Sequence, residues 1–433
     1  MGPEIQLLVV LAVFISLLTL GMSIPFAIGL PSLVYLYIQG GIPLLKGIGL
    51  ASWGSMNSFI LTAIPLFILM AEILQRSGMT LRVYHALATL FSRIPGGLLQ
   101  TNIIGCAAFG SISGSSITTA ASIGSVALPE LTRRKYDPQL SAGSLAAGGT
   151  LGILIPPSLA IIIYSSFTET SVAKLFMAGV IPGLLLTLMF VAYIAWKAIR
   201  NPEIAPKTGI ELTWASGIRS GIDLLPFGFL IGITLGFIYF GIATVTEAAA
   251  IGCLGAIVLS AVYGKLTIRN LLDAFESTVM MCGNILFIVL AAYLFAYAIS
   301  YAGIGEELVS LALDMEMTKF EFYVFLFIIF TILGALVESV GMIVITVPLL
   351  FPLLEPLGID PIWFGILVVV YIELGQITPP LGINLFVVQA MWKGTLKDVV
   401  IGTIPFHLLM FVLLAMLMIW PELALWLPSK VYQ

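Results

Sequence analysis

The chain has 433 residues, of which 60% are hydrophobic and only 9% charged, and its mean hydropathy is +1.13. So few charges cannot solvate a soluble protein of this size, whereas a polytopic membrane protein in a lipid bilayer requires no more. The formal net charge of −4 is too small to imply a charged partner, and nucleic acid is not expected.

The opening MGPEIQLLVV lacks a basic leader, so the first apolar stretch reads as a retained span rather than a cleaved signal. A span needs about 20 apolar residues, and candidates lie at 5–23, 24–40 and 56–77, followed by an amphipathic arm at 80–93. Residues 97–130 are apolar but interrupted by GSISGSS (Gly110 to Ser116), and read as a hairpin. Residues 139–168 carry Pro156 and Pro157 inside LGILIPPSLAII. Proline removes a backbone donor and clashes with the preceding turn, so the pair breaks the helix. A span at 172–199 completes the first half, 1–200. The most polar stretch, 201–222, reads as a linker with a surface helix. The second half, 223–433, holds spans at 224–240 and 244–263, an arm at 265–276 and a span at 278–302. It continues with a hairpin at 320–356 interrupted by VESVG, a helix at 362–392 broken by Pro379 and Pro380, and a span at 398–426. Cys106, Cys253 and Cys282 are far apart in apolar surroundings and read as small buried side chains. His85 and His407 stand alone and suggest no metal.

The halves are repeats. An offset of 223 pairs Gly152 with Gly375, Pro156 with Pro379, Pro157 with Pro380, Lys174 with Lys397, Gly179 with Gly402 and Pro182 with Pro405. Upstream, Gly110 pairs with Gly334 and Ser115 with Ser339 at 224, and Gly78 with Gly303 at 225. Basic residues flank the first hairpin (Arg76, Arg82, Arg93, Arg133, Arg134, Lys135). Acidic ones flank the second (Glu306, Glu307, Asp314, Glu316, Glu355, Asp360). Lys and Arg favour the cytoplasmic face, so the hairpins enter from opposite sides, Lys207 is cytoplasmic and both termini are external. The fold class is an all-α polytopic membrane protein with an inverted repeat, two re-entrant hairpins and two proline-broken helices.

That architecture belongs to secondary transporters. Irregular backbone at membrane depth survives only where protein or a wet cavity satisfies it. At each break, freed carbonyls can ligate a hard cation and a half-helix N-terminus can face an anion. SISGSS brings four hydroxyls to the first tip, set against the plainer reading of Gly110 and Gly114 as a helix-packing G-x-x-x-G. Glu338 is the only acidic residue between Glu321 and Glu355, and an ionisable group at that depth points to function. Glu72, Glu247 and Glu373 suit helix–helix contacts. Gln376, Thr378 and Asn384 add polar atoms around the second break.

GILIPPSLAIIIYSSFTETSVAKLFMAGVIPG, GIATVTEAAAIG and GALVESVGMIVITVPLLFP, in that order, closely resemble motifs of one family. This is the large membrane subunit, of DctM type, of tripartite ATP-independent periplasmic (TRAP) transporters. Val245 stands where that family usually has proline, and Glu338 where it usually has aspartate. The resemblance implies an elevator-type importer of an organic acid in the bacterial inner membrane, driven by a sodium gradient, with Na+ as coupling ion and no organic cofactor. It implies two partners, a small DctQ-type membrane subunit and a soluble periplasmic DctP-type binding protein. Family substrates include C4-dicarboxylates and sialic acids, and general likeness leans toward the sialic acid branch. In that family ions sit where hairpin tips meet broken helices. A first sodium site is therefore expected at Ser113, Gly114, Ser115, Gly149, Thr150 and Gly152. A second is expected at Glu338, Ser339, Gly341, Gly375 and Thr378, with Ser113, Ser158, Glu338 and Asn384 toward substrate.

The rival readings are a stand-alone sodium/anion symporter of related fold, a channel, and an intramembrane serine hydrolase built on Gly114-Ser115-Ser116. The hydrolase lacks a partner motif around His407. No P-loop pattern occurs, so an ATP-driven pump is not expected.

Overall fold

The computed structural model describes residues 3–206, 212–334, 336–380 and 382–431, and among them all regular structure is helical. Helix α1 (Pro3–Thr19) precedes α2 (Ile24–Met56), which is kinked at Gly41 (φ 62, ψ −152), two residues before Pro43. The kink falls where the sequence reading ended this span. A 3-10 turn (Phe59–Thr62) leads into α3 (Ala63–Arg76), and the left-handed Gly78 turns the chain into α4 (Met79–Leu90). Then come α5 (Leu98–Ser113), α6 (Ser116–Arg133), α7 (Pro138–Leu154), α8 (Leu159–Thr168) and α9 (Val172–Arg200).

Of the expected linker, 207–211, with Lys207, lies outside the described residues. The surface helix expected there is instead the opening of α10 (Trp214–Tyr239), which starts at a Thr213–Ser216 capping box. The second half continues with α11 (Val245–Val262), α12 (Ile268–Tyr301), α13 (Ile304–Asp314), α14 (Lys319–Gly334), α15 (Ser339–Leu350), α16 (Pro361–Gln376), α17 (Ile383–Met391), α18 (Leu396–Ile419) and α19 (Glu422–Val431).

Two boundaries differ from the sequence reading for identifiable reasons. The arm expected at 265–276 is the first part of α12, because no proline interrupts 268–301 and the helix runs through. The element that mirrors α4 is α13: each is a short amphipathic helix entered through a left-handed glycine, Gly78 (φ 76) or Gly303 (φ 68). At the other end, Pro421 follows Trp420 and divides the expected span at 398–426 into α18 and α19.

The repeat also extends further than the motifs suggested. Asp137-Pro138 and Asp360-Pro361 keep the offset of 223 and start α7 and α16 in the same way. The Asp137 carboxylate accepts from Leu140 N–H at 2.7 Å, and that of Asp360 from Ile362 N–H at 2.7 Å and Trp363 N–H at 3.1 Å. Proline at the first helical position needs no hydrogen-bond partner for its nitrogen, so the pair is a compact start signal.

Eight stretches among the described residues are long and apolar enough to cross a membrane. They differ in what surrounds them. Residues 138–168 are almost wholly buried, whereas α2, α10, α11 and α12 leave large apolar side chains outward, such as Val34, Ile38, Phe229, Val258 and Met280. An apolar surface of that extent is a lipid-facing surface. The chain is a multi-pass membrane protein whose broken helices lie at its centre.

Candidate functional site

The first hairpin turns at Gly114, whose φ of 59 is the left-handed conformation that glycine adopts without steric cost. Its tip is seated on the first break. Leu159 N–H donates to the Gly114 carbonyl at 3.2 Å, and a Cβ placed on Gly114 would come 2.9 Å from the Pro157 carbonyl oxygen. Further down the hairpin, a Cβ on Gly110 would lie 2.7 Å from Gly152 Cα. The second hairpin makes the same approach at repeat-related residues, since a Cβ on Gly375 would lie 2.7 Å from Gly334 Cα. Gly110 and Gly334, paired by sequence offset, therefore do equivalent packing. Both double-proline bonds, Pro156-Pro157 and Pro379-Pro380, are cis.

Oxygen atoms gather at the first meeting point. The Ser113 and Thr119 hydroxyls share a hydrogen bond at 2.6 Å, and Ser113 also donates to the Ser115 carbonyl at 3.2 Å. The Ser115 hydroxyl caps α6 by accepting from Thr118 N–H. Gly149 and Gly152 face this cluster, where a Cβ would come within 3.2 Å of the Ser116 carbonyl oxygen and 2.8 Å of that of Ser115. The structure thus brings Ser113, Gly114, Ser115, Gly149 and Gly152 together. Thr150 is buried and bonds back to Ala147 O at 2.7 Å in its own helix, while Ser158 caps α8 through Ile161 N–H. Sequence reasoning missed Thr119. It lies one turn past the tip serines, outside the small-residue motif that marked the hairpin.

The second meeting point is built differently. Glu338 is the N-cap of α15 but its carboxylate makes no bond to its own helix end. It occupies the place that Gly114 holds in the first tip (offset 224). Gly375 closes against Gly334. Two assigned residues do not converge there. A Cβ on Gly341 would meet Val337 Cγ1 of its own tip at 2.3 Å and Ile24 Cδ1 of α2 at 3.1 Å, so it packs between the tip and α2 rather than toward the break. The Thr378 hydroxyl is taken by Leu374 O at 2.6 Å and His407 Nε2 at 2.9 Å. That bond also accounts for His407, which meets a threonine of the break rather than a tip serine.

Asn384, expected beside the second break, in fact joins the two repeats. Its Nδ2 donates to the Ser116 hydroxyl at the start of α6 and to Ala146 O of α7, while its Oδ1, fully buried, has no partner among the described residues. Of the three glutamates read as helix contacts, Glu72 pairs with Arg76 at 3.3 Å, and Arg76 reaches across to Ser277 of α12 at 2.7 Å. Glu247 instead closes a capping box with Thr244 at the start of α11. Glu373 is wholly buried and reaches no hydrogen-bonding group in proper geometry.

The family model of the tripartite ATP-independent periplasmic transporter, DctM component, matches residues 11–423. The C4-dicarboxylate TRAP transporter large permease protein DctM of Rhodobacter capsulatus is 32% identical over 440 residues, 98% of each chain. The sialic acid TRAP transporter large permease protein SiaM of Vibrio cholerae is 28% identical over 422 residues, 96% of this chain and 97% of that one. The isethionate TRAP transporter permease protein DctMQ of Oleidesulfovibrio alaskensis is 29% identical over 93% of this chain, which spans 63% of that protein. Among solved structures, the YdaH transporter of Alcanivorax borkumensis superposes with a TM-score of 0.63 at 17% identity, over 88% of this chain and 89% of that one, a likeness of fold. These relatives are named as permeases or transporters, not enzymes. Matched over nearly its whole length, the chain belongs to the DctM family, the large permease component of tripartite ATP-independent periplasmic transporters.

Proposed function

We propose that this chain is the large subunit of a sodium-coupled importer of an organic acid in the bacterial inner membrane. The observation that carries the reading is the doubled one: each hairpin is seated by glycine-on-glycine contact against a proline-broken helix of its own half. Such paired breaks supply backbone oxygens and half-helix termini at one depth, as coupling-ion and anion sites require.

The first sodium ion is held around Ser113, Ser115 and Thr119, with backbone oxygens made accessible by Gly114, Gly149, Thr150 and Gly152. The second lies around Glu338, Ser339 and Gly375, with Thr378 contributing through its backbone and Gly341 turned away toward α2. Clusters of hydroxyls and carbonyls with at most one carboxylate lack the charge density that divalent ions prefer. Substrate sits between the tips, where Ser158 and Asn384 lie at the starts of α8 and α17 and the N-terminal ends of those half-helices attract a carboxylate. The relatives' names span C4-dicarboxylates, sialic acid and isethionate, so the proposed substrate class is a small organic acid, with C4-dicarboxylate and sialic acid as the two to test first.

The central hairpin body moves as an elevator against a lipid-facing frame of α1, α2, α10 and α11. The hairpins enter from opposite faces, with both termini periplasmic. A small DctQ-type subunit packs on the frame, in keeping with the DctMQ relative, which is longer than this chain. A periplasmic binding protein delivers the acid. The test is uptake into proteoliposomes holding this chain, the small subunit and the binding protein. Uptake should require an inward sodium gradient, and equal uptake with potassium or choline in its place defeats the coupling. Full transport by the chain alone would favour a stand-alone symporter.

A further inference from the structure

Glu373 and Gln376 are two buried polar residues whose side chains bond neither to a tip nor to a break. Both are fully buried, and all four of their side-chain polar atoms lack a hydrogen-bond partner among the described residues. They stand three residues apart in the last turn of α16 and so lie on neighbouring positions of one helix face. That face is not the one used by the hairpin. Gly375, about 200° around the helix from Glu373 at 100° per residue, is pressed against Gly334.

The Glu373 face looks toward the first break instead. Ile366, two turns earlier on the same side, meets Gly179 of α9, where a Cβ would lie 2.6 Å from the Leu154 carbonyl oxygen and 3.8 Å from Ile366 Cδ1. The Glu373 carboxyl faces the backbone N–H of Leu154 without reaching strict hydrogen-bond geometry. Leu154 is the last residue of α7, and its carbonyl oxygen is turned toward Gly179 of α9. One carboxylate and one amide oxygen thus lie buried on one face of α16, where that helix packs on α7. These are hard oxygen donors, the set that alkali cations take. No ion pair neutralises Glu373 among the described residues, and a bare carboxylate at such depth is costly. As placed, the two side chains do not hydrogen-bond each other, so a proton on Glu373 would by itself leave both ends of Gln376 without a partner. A cation that keeps part of its water shell engages both residues, through its own charge and through that water. With one carboxylate the charge balances for a monovalent ion.

We propose that Glu373 and Gln376 form a third cation site, for sodium, beside Leu154 at the crossing of α16 and α7 and apart from the two hairpin-tip sites. It rests on the sodium-coupled reading and raises the ion count of that reading by one.

The test is equilibrium binding of radioactive sodium to the purified full chain in lipid nanodiscs, comparing wild type, Glu373→Gln and Gln376→Leu. Glu373→Gln is isosteric and removes only a buried charge. It should bind one sodium ion fewer per protein, and Gln376→Leu should weaken sodium about tenfold in the same class of site. Should Glu373→Gln not fold, Gln376→Leu carries the test. Unchanged sodium number and affinity in both variants overturns the third site. Loss of a proton flux in Glu373→Gln with sodium binding intact also overturns it, in favour of proton carriage. A wild type that binds no sodium refutes the coupling proposal itself, which the variants do not touch.

Discussion

Replacing Gly114 with alanine should destabilise the protein markedly more than the same change at Gly78, although both glycines are left-handed (φ 59 and 76). An alanine held in that conformation costs roughly 1–2 kcal/mol at either position. At Gly78 nothing lies within 4 Å of the added methyl, so that cost is the whole effect. At Gly114 the methyl meets the Pro157 carbonyl oxygen at 2.9 Å and Leu159 N at 3.1 Å, backbone atoms that cannot swing aside. The tip must lift from the break, losing the Leu159 N–H bond to Gly114 O. Leaving that buried pair unmatched adds about 1–3 kcal/mol. The expected losses are therefore about 2–5 kcal/mol for Gly114→Ala against about 1–2 for Gly78→Ala. Reversible unfolding in mixed detergent micelles reads both, and on the sodium-coupled proposal added sodium should stabilise Gly78→Ala and wild type alike. Equal losses in the two variants would refute the seating of the tip on the break.

Replacing Pro379 and Pro380 together with alanine lets the helix re-form, so sodium affinity should fall about tenfold or more. Stability without sodium should hold or rise, and unchanged sodium dependence of uptake would make the break a packing feature only. Thr119→Val keeps the shape but removes the hydroxyl bonded to Ser113. It should cost about 0.5–1.5 kcal/mol and weaken sodium binding, and an unaffected sodium isotherm would remove Thr119 from the site. At the end of α6, the hydrogen bond from Arg133, followed by Arg134, holds the Glu130 carboxyl below its usual range against partial desolvation. A depressed carboxyl stabilises above its unfolded value and loses that contribution as pH falls through the folded one. Glu130→Gln should therefore cost under about 1 kcal/mol at pH 7, and the gap to wild type should close on acidification below about pH 4. A gap that widened there would contradict the sign.

The elements that announce themselves by residue type were legible in the chain. Double prolines and long apolar stretches each have one dominant physical meaning, and the repeat offset ties Gly110 to Gly334, both of which touch a broken helix. The second arm was not legible by composition. Residues 265–276 and 304–314 are both amphipathic, and only the left-handed Gly303, equivalent to Gly78, tells which one is a separate helix. Side-chain destinations were the least legible. Thr378, Gly341 and Asn384 sit in the motifs expected of them, yet each points to a different element: α18, α2 and α6. A motif fixes a backbone neighbourhood, whereas the rotation of a helix about its axis is set by packing from the far half of the chain.

That far-half packing explains why two similar repeats yield dissimilar sites. Each hairpin grips the break of its own half, but the distal half-helix then leaves for the other half: α8 lies along α15, and α17 along α6 and α7. Tyr164, near the end of α8, donates to Pro361 O at the start of α16, while Leu154 at the end of α7 meets the end of α16, so the two broken segments run antiparallel. Interlocked in this way, the hairpins and breaks of the two halves pack together as one body. Within it the hydroxyl-rich first tip is tied by Ser116 to Asn384 of the second half, and the second tip contributes a lone carboxylate at Glu338. An ancestral duplication supplies the symmetric frame of breaks and glycine contacts. The exchange of half-helices then gives each site neighbours from the opposite repeat, and substitutions there act on one site at a time. The proposed ion set is accordingly asymmetric on a symmetric scaffold, with Glu373 having no counterpart carboxylate at Thr150, the position that the 223 offset pairs with it.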